Sequence, residues 1–336
     1  MVKNGRISIT LYNHDIESNN NCRQTSSIFL PPYKQMTSPA FISLVLAGGG
    51  VRSLAHVGAI TRIYDEKKLE TVTHFAGSSA GAIIAALMAA QYTPKELFEY
   101  MITLDFRDFA KDNVVKEGLN FMKSYGIHSN TKLEESIERG IAMKLGSNAS
   151  FRDLKTKTGN TLVVTATNLT TSQTDLFSPE KTPDMVISRA IRLSADIPLF
   201  YTSCQFDGCM YTDGGLLNNL PTDCVPSPSL AINLTASGVL PRKINNLDSY
   251  LYALLETASD KIDDLTPKQG EVIEIDTGSV ASTDFDICLI DKVALVKKGY
   301  FFHSPVIPPA EPVVPTYWLH VRSKPTMEHK GECVIQ

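Results

Sequence analysis

The chain has 336 residues, 43% hydrophobic and 20% charged, enough apolar material for one large globular domain or two modest ones. Its 32 Lys and Arg against 36 Asp and Glu give a net charge of −4, which excludes a general nucleic-acid binder, because neutralising phosphates takes a surplus of basic side chains. No apolar stretch follows Met1 and none approaches the roughly 18 residues of a membrane span, so the sequence predicts a cytoplasmic protein without signal peptide or spanning helix.

Residues 1–38 form a polar extension rich in Asn, Ser, Thr and Pro, in which only Ile7 to Tyr12 alternates like a strand. From Phe41 to Ala47 the chain reads as a buried strand, and it ends abruptly in Gly48-Gly49-Gly50-Val51-Arg52 before a helix begins near Ser53. Strand, glycine turn and helix together aim backbone N–H groups and the positive end of a helix dipole at one spot, which favours an anion. A dinucleotide fingerprint would want a third glycine near Ser53 and an acidic residue closing the next strand, and no Gly-Lys-[Ser/Thr] is present for a nucleotide loop. A developing oxyanion fits the turn better. A tight βα turn without ligand is the plain alternative.

A second strand, Val72 to Ala76, runs into Gly77-Ser78-Ser79-Ala80-Gly81 and then into small and apolar residues as far as about Gln91. That is the setting of a nucleophile elbow. The serine at the tip sits in a strained turn, and glycine two residues to either side leaves room where a Cβ would strike the adjoining strand or helix. Ser79 meets both conditions, although Gly-x-Ser-x-Gly also arises by chance as a simple turn.

Thr93-Pro94-Lys95-Glu96 carries a cap, a proline for the first helical position and a capping-box glutamate, and Thr131-Lys132-Leu133-Glu134 is read as a second box. Residues 105–130 between them lack a clear period and read as an ordinary insertion, with a lid or acyl-chain channel as the alternative. Leu162 to Thr167 is a buried strand with a hairpin partner at Thr174 to Phe177, and Met185 to Ser194 is a helix ended by Pro198. Strands alternating with helices imply a mostly parallel sheet covered on both faces. Asp213-Gly214-Gly215 follows a short strand and, on spacing alone, is first of all a turn.

The three glycine-rich segments, Gly48 to Arg52, Gly77 to Gly81 and Asp213 to Gly215, stand in an order that resembles the patatin-like phospholipase family. His56-Val57-Gly58, Ala190 to Pro198 and Asn219-Leu220-Pro221 add to the resemblance, which covers about residues 41–235. It implies an α/β protein, a three-layer α/β/α sandwich with a mostly parallel central sheet and a nucleophile elbow. It further implies a catalytic Ser79–Asp213 dyad, an oxyanion hole made by Gly48, Gly49, Gly50, Val51 and Arg52, and structural glycines at Gly77, Gly81, Gly214 and Gly215. The expected substrate is a phospholipid or related acyl lipid cleaved at a carboxylic ester through an acyl-enzyme, with no cofactor and no metal. Arg52 is expected to fix its loop or attract a phosphate head group, since guanidinium does not give up its proton. The family usually carries glycine where this chain has Ser53; serine is harmless there if the helix has already begun. His56 and His74 lie near the two active loops and are assigned to packing, ahead of a Ser-His-Asp triad. A catalytically silent lipid-binding protein of the same fold is the alternative from another class.

Beyond the motifs, Leu230 to Leu234 and Val272 to Ile275 are strands and Cys288 to Phe302 a helix. Leu247, Tyr250, Leu251, Leu254, Leu255 and Ala258 form an apolar stripe read as core, with a membrane-facing helix as the alternative. Cys22, Cys204, Cys209, Cys224, Cys288 and Cys333 show no Cys-x-x-Cys or Cys/His cluster, so free thiols are expected, a redox pair of Cys204 and Cys209 being the minor reading. The expected boundaries are a catalytic domain over 39–303 and a proline-rich tail over 304–336. That tail ends Cys333-Val334-Ile335-Gln336, a C-a-a-X box that would permit prenylation of Cys333 and reversible recruitment to the cytosolic face of a membrane. Oligomeric state is not legible in the sequence.

Overall fold

A computed structural model describes residues 40–109, 125–237 and 265–302, with single positions between 244 and 262 and at 315, 317 and 318. The extension over 1–38, most of the 105–130 insertion and the Cys333 box lie outside the described residues.

The sheet is built from β1 (Ser43–Leu46), β2 (His74–Ser78), β4 (Thr161–Asn168), β5 (Gln173–Phe177), β7 (Cys204–Phe206), β8 (Cys209–Thr212), β9 (Ser229–Thr235) and β10 (Glu271–Asp276). Their order is β10-β9-β1-β2-β4-β8-β7, with β5 also on β4. The five strands from β10 to β4 are parallel, while β5, β8 and β7 add an antiparallel side. Two further short strands, β3 (Gly126–His128) and β6 (Leu199–Tyr201), pair in parallel with each other.

The inner strands are apolar at nearly every position because both faces are covered, and the period of two divides their side chains between two cores. Leu44, Leu46, Phe75, Leu162, Val164, Leu230 and Ile232 belong to the larger core. Val45, Ala47, Ala76, Val163 and Ala231 point to the other face, under Leu220 and Val225. The larger core takes in helices α1 (Leu54–Asp65), α2 (Ser79–Ala89), α3 (Pro94–Thr103), α4 (Thr131–Leu145), α5 (Phe151–Thr158), α6 (Ile187–Ser194) and α7 (Leu289–Tyr300). The α2 sequence, SAGAIIAALMA, is apolar all round, as expected of a helix buried on every side.

Three expectations change. The Thr93 box forms as read, but Thr131 does not cap α4: the cap position is Asn130, which makes no capping bond because its side chain is held by Asp196. Tyr250, Leu254 and Ala258 of the apolar stripe are exposed and not core, while Leu247, Leu251 and Leu255 lie outside the described residues. Periodicity tells which residues share a helix face and not what that face meets. Trp318, placed by sequence in the tail, is buried and stacks on Phe98 with ring centroids 5.5 Å apart.

Candidate active site

Both glycine turns sit at the C-terminal edge of the sheet, the usual place for a site in an open α/β sheet, since β1 and β2 run parallel with Leu46 beside Gly77. The third segment reaches the same level from the opposite direction. Ser78 of β2 pairs with Thr165 of β4, and Thr167 of β4 pairs with Thr212 at the end of antiparallel β8, so the next residue, Asp213, descends beside the elbow.

The result is a direct contact: Ser79 Oγ donates to Asp213 Oδ2 at 2.5 Å, across 134 positions of sequence. Ser79 has φ +51°, a left-handed backbone that costs a non-glycine residue free energy and is tolerated where the surroundings over-determine it. The surroundings here are tight. A Cβ on Gly77 would lie 2.6 Å from the Gly81 carbonyl carbon, and one on Gly81 would lie 2.4 Å from the carbonyl oxygens of Leu46 and Ala47.

Asp213 is fixed from several sides. Its Oδ1 accepts from Gly215 N–H at 2.7 Å, its carbonyl from Thr167 Oγ1 at 2.9 Å, and its own N–H donates to the Asp196 carbonyl at 2.9 Å. Burial pushes the Asp213 carboxyl up to about 6, against the opposing hydrogen bonds from Ser79 and Gly215. The C-terminal end of α6 also holds the elbow, because Ser194 Oγ accepts from Ser79 N–H at 2.8 Å. Ser194 and Asp196, two residues apart, therefore steady both members of the pair. The Asp196 carboxyl, 2% exposed, accepts from Asn130 Nδ2 at 2.9 Å and Cys204 N–H at 3.0 Å, and burial raises it to about 8.

The five amides expected to face an oxyanion divide. Gly48 N–H donates to Asn219 O at 3.3 Å, Val51 N–H to Ser282 O at 2.9 Å and Arg52 N–H to Gly49 O at 3.1 Å. Those three hold the loop in shape. The N–H groups of Gly49 and Gly50 have no such backbone acceptor among the described residues, so the donor set open to a ligand narrows to these two. Gly50 has φ +55° and passes so close to the loop after β10 that a Cβ would meet Ser282 O at 2.0 Å. Arg52 curls back, its Nε 3.5 Å from Gly49 O, consistent with a loop-fixing role.

Ser79 lines a cavity together with Gly50, Ser53, Ala80 and Ala195 and with the apolar side chains of Ile83, Met101, Leu104, Phe106, Phe109, Leu133 and Ile137. Phe106 and Phe109 belong to the 105–130 insertion, so part of that segment lines the cavity.

The histidines stand elsewhere. His56 Nε2 lies 2.8 Å from Ala47 O and donates to it as the neutral ring; burial lowers its pKa to about 4. It ties α1 to the end of β1. His74 opens β2 whereas Ser79 follows its far end, about 16 Å away at the usual rise per residue. Cys204, Cys209, Cys224 and Cys288 are free thiols, and among the described residues no group of three or more His, Cys, Asp or Glu could hold a metal ion. Among them, too, no helix is long and apolar enough to cross a membrane.

A family model, patatin-like phospholipase, matches residues 44–225, which contain the elbow, the triple-glycine turn and Asp213. The chain belongs to the patatin-like phospholipase family. It is similar to the probable lipid hydrolase 463L of Invertebrate iridescent virus 6, 30% identical over 200 residues that cover 57% of this chain and 66% of that protein. The uncharacterized protein YqhO of Bacillus subtilis is 29% identical over 279 residues, 77% of this chain and 95% of that one. The chain spans just under two thirds of the length of the viral relatives it matches. Among solved structures, VipD from Legionella pneumophila shares the fold at a TM-score of 0.55 and 18% identity, over 78% of this chain and 66% of VipD. The three-layer α/β/α sandwich of patatin-like proteins is thus this chain's fold.

Ser194, Asn219 and Ser282 support the site without having been singled out for it in sequence. Ser194 and Asn219 lie inside secondary matches to the family, whereas Ser282, which accepts from Val51 N–H through its backbone carbonyl, lies outside them.

Proposed function

We propose that the protein is a lipid acyl hydrolase that cleaves carboxylic ester bonds of phospholipids or related acyl lipids, with Ser79 as nucleophile and Asp213 as its base. The observation that carries this reading is the 2.5 Å hydrogen bond from Ser79 Oγ to Asp213 Oδ2 at the head of an apolar cavity. Asp213 takes the hydroxyl proton as Ser79 Oγ bonds to the ester carbonyl carbon, and the carbonyl oxygen becomes the oxyanion. The N–H groups of Gly49 and Gly50, with the positive end of α2 behind Ser79, stabilise that charge; one such donor commonly contributes about 3 kcal/mol. Collapse breaks the bond to the alcohol, which leaves with the proton from Asp213, and the acyl chain stays on Ser79. Water then repeats the sequence: Asp213 takes its proton, its oxygen bonds to the acyl carbon, and Ser79 recovers a proton as the fatty acid departs. A carboxyl raised to about 6 suits the base role, being ionised at neutral pH yet more basic than an exposed aspartate.

The apolar walls suit an acyl chain, and the name of the viral relative, a probable lipid hydrolase, points to the same substrate class. The catalytic unit proposed is residues 39–303 with Trp318 packed upon it, and Cys333 is proposed as a prenylation site for reversible membrane recruitment. Hydrolysis of a short-chain p-nitrophenyl ester tests the chemistry. Ser79→Ala and Asp213→Asn, folded by circular dichroism, are each expected to lose about 10,000-fold or more in kcat. Equal turnover by all three proteins would refute the proposal, and no turnover above background by wild type would favour a silent lipid binder.

A further inference from the structure

Ser53 stands where the family resemblance expects glycine, and its backbone shows that glycine is not required: φ −59° and ψ −14° are ordinary helical values at the start of α1. What serine adds is a hydroxyl. Ser53 is 0% exposed, makes no capping bond, and its Oγ has no hydrogen-bond partner among the described residues. Burying an unpaired hydroxyl is unfavourable, and such groups in folded proteins call for an explanation. Ser53 also lines the same cavity as Ser79, Ala80 and Gly50, whose N–H has no backbone acceptor among the described residues. The other orphaned serine nearby differs: Ser78 Oγ faces Gly214, where a Cβ would lie 2.7 Å from it, and Ser78 is not part of the cavity wall.

We propose that Ser53 Oγ–H donates to the scissile carbonyl oxygen of the bound ester, as a third oxyanion donor beside the N–H groups of Gly49 and Gly50. The inference rests on Ser79 being the nucleophile. The hydroxyl is left unpaired by the fold and completed by the substrate, most strongly when the carbonyl oxygen gains charge, so its contribution falls on the chemical step. It transfers no proton: the donor keeps its hydrogen throughout, and Asp213 remains the only base.

The test uses the full-length protein with a p-nitrophenyl ester and four proteins: wild type, Ser79→Ala, Ser53→Ala and Ser53→Gly. Ser53→Ala and Ser53→Gly should each lower kcat about 100-fold, with KM changed by no more than about threefold. The melting temperature of Ser53→Ala should be no lower than that of wild type, since an unpaired buried hydroxyl has been removed. Inhibition by an alkyl trifluoromethyl ketone, whose serine adduct carries an oxyanion, should weaken by the same factor as kcat in Ser53→Ala. Wild-type kcat in either Ser53 variant, with Ser79→Ala inactive, overturns this inference and leaves the dyad standing. A loss confined to KM also overturns it, since the hydroxyl would then contact the ground state alone. Equal rates in wild type and Ser79→Ala would bring down the nucleophile assignment and this inference with it.

Discussion

The two glycine turns at the edge of the sheet are neighbours in space and opposites in how they are held. The elbow over Gly77–Gly81 is fixed mainly by close packing: a Cβ on Gly77 would enter the backbone of α2, and one on Gly81 the carbonyls of Leu46 and Ala47, each within 2.6 Å. The Gly48–Arg52 turn is fixed by distant chain, through the carbonyls of Asn219 and Ser282, which lie 171 (219 minus 48) and 231 (282 minus 51) positions away. The first turn is a packing necessity that happens to expose a serine. The second is a loop held by hydrogen bonds, and among the described residues two of its N–H groups, those of Gly49 and Gly50, have no backbone acceptor. Substitutions should therefore break the first through folding and the second through catalysis.

Gly81→Ala gives the largest effect. Its Cβ falls 2.4 Å from the carbonyl oxygens of Leu46 and Ala47 at the end of β1, and because β1 and α2 are central to the larger core we expect a loss of about 3 kcal/mol in a denaturant titration. Retention of wild-type stability would mean that the elbow is not packed as described. Gly50→Ala should instead fold and turn over slowly. The new methyl meets Ser282 O at 2.0 Å and the residue sits at φ +55°, so the loop must shift and carry its N–H groups off target, lowering kcat about 100-fold. An inactive but unfolded Gly50→Ala protein would erase the contrast between the turns.

How much of this was legible in sequence follows the same division. The elbow could be read locally, because strand, glycine spacing and apolar helix lie within one short window. Asp213-Gly214-Gly215 read only as a turn, and its meeting with Ser79 depended on the order of motifs in the family. Pairing of antiparallel β8 with β4, which lowers Asp213 to the elbow, is a sheet property that no local pattern contains. Occupation of the Gly48 and Val51 N–H groups likewise depends on carbonyls elsewhere in the chain, those of Asn219 and Ser282. Asn130 shows the converse, a residue drawn from helix capping by a tertiary partner, Asp196.

A smaller effect separates the base from the histidines. With the folded Asp213 carboxyl raised to about 6, the fraction ionised falls as pH drops through 6, so kcat/KM should decline about tenfold per pH unit below it. The same raised pKa makes the folded state hold the proton more tightly than the unfolded chain. Stability contributed by this group is thus present at acid pH and lost as pH rises from about 4 to about 6. Activity and this part of stability should run in opposite directions, which a pH series of rates and melting temperatures would show. The smallest change expected is that of His74→Ala, which should leave the acidic limb of the rate profile where it is; a displaced limb would assign it to histidine.

The central claim is that Asp213 makes Ser79, out of all the serines in the chain, the reactive one. Labelling with an alkyl fluorophosphonate followed by peptide mass spectrometry tests it most directly. The account predicts one adduct, on the Ser79 peptide, formed at least about 1,000-fold more slowly in Asp213→Asn. An adduct on another serine, or equal labelling rates with and without the Asp213 carboxylate, would contradict it.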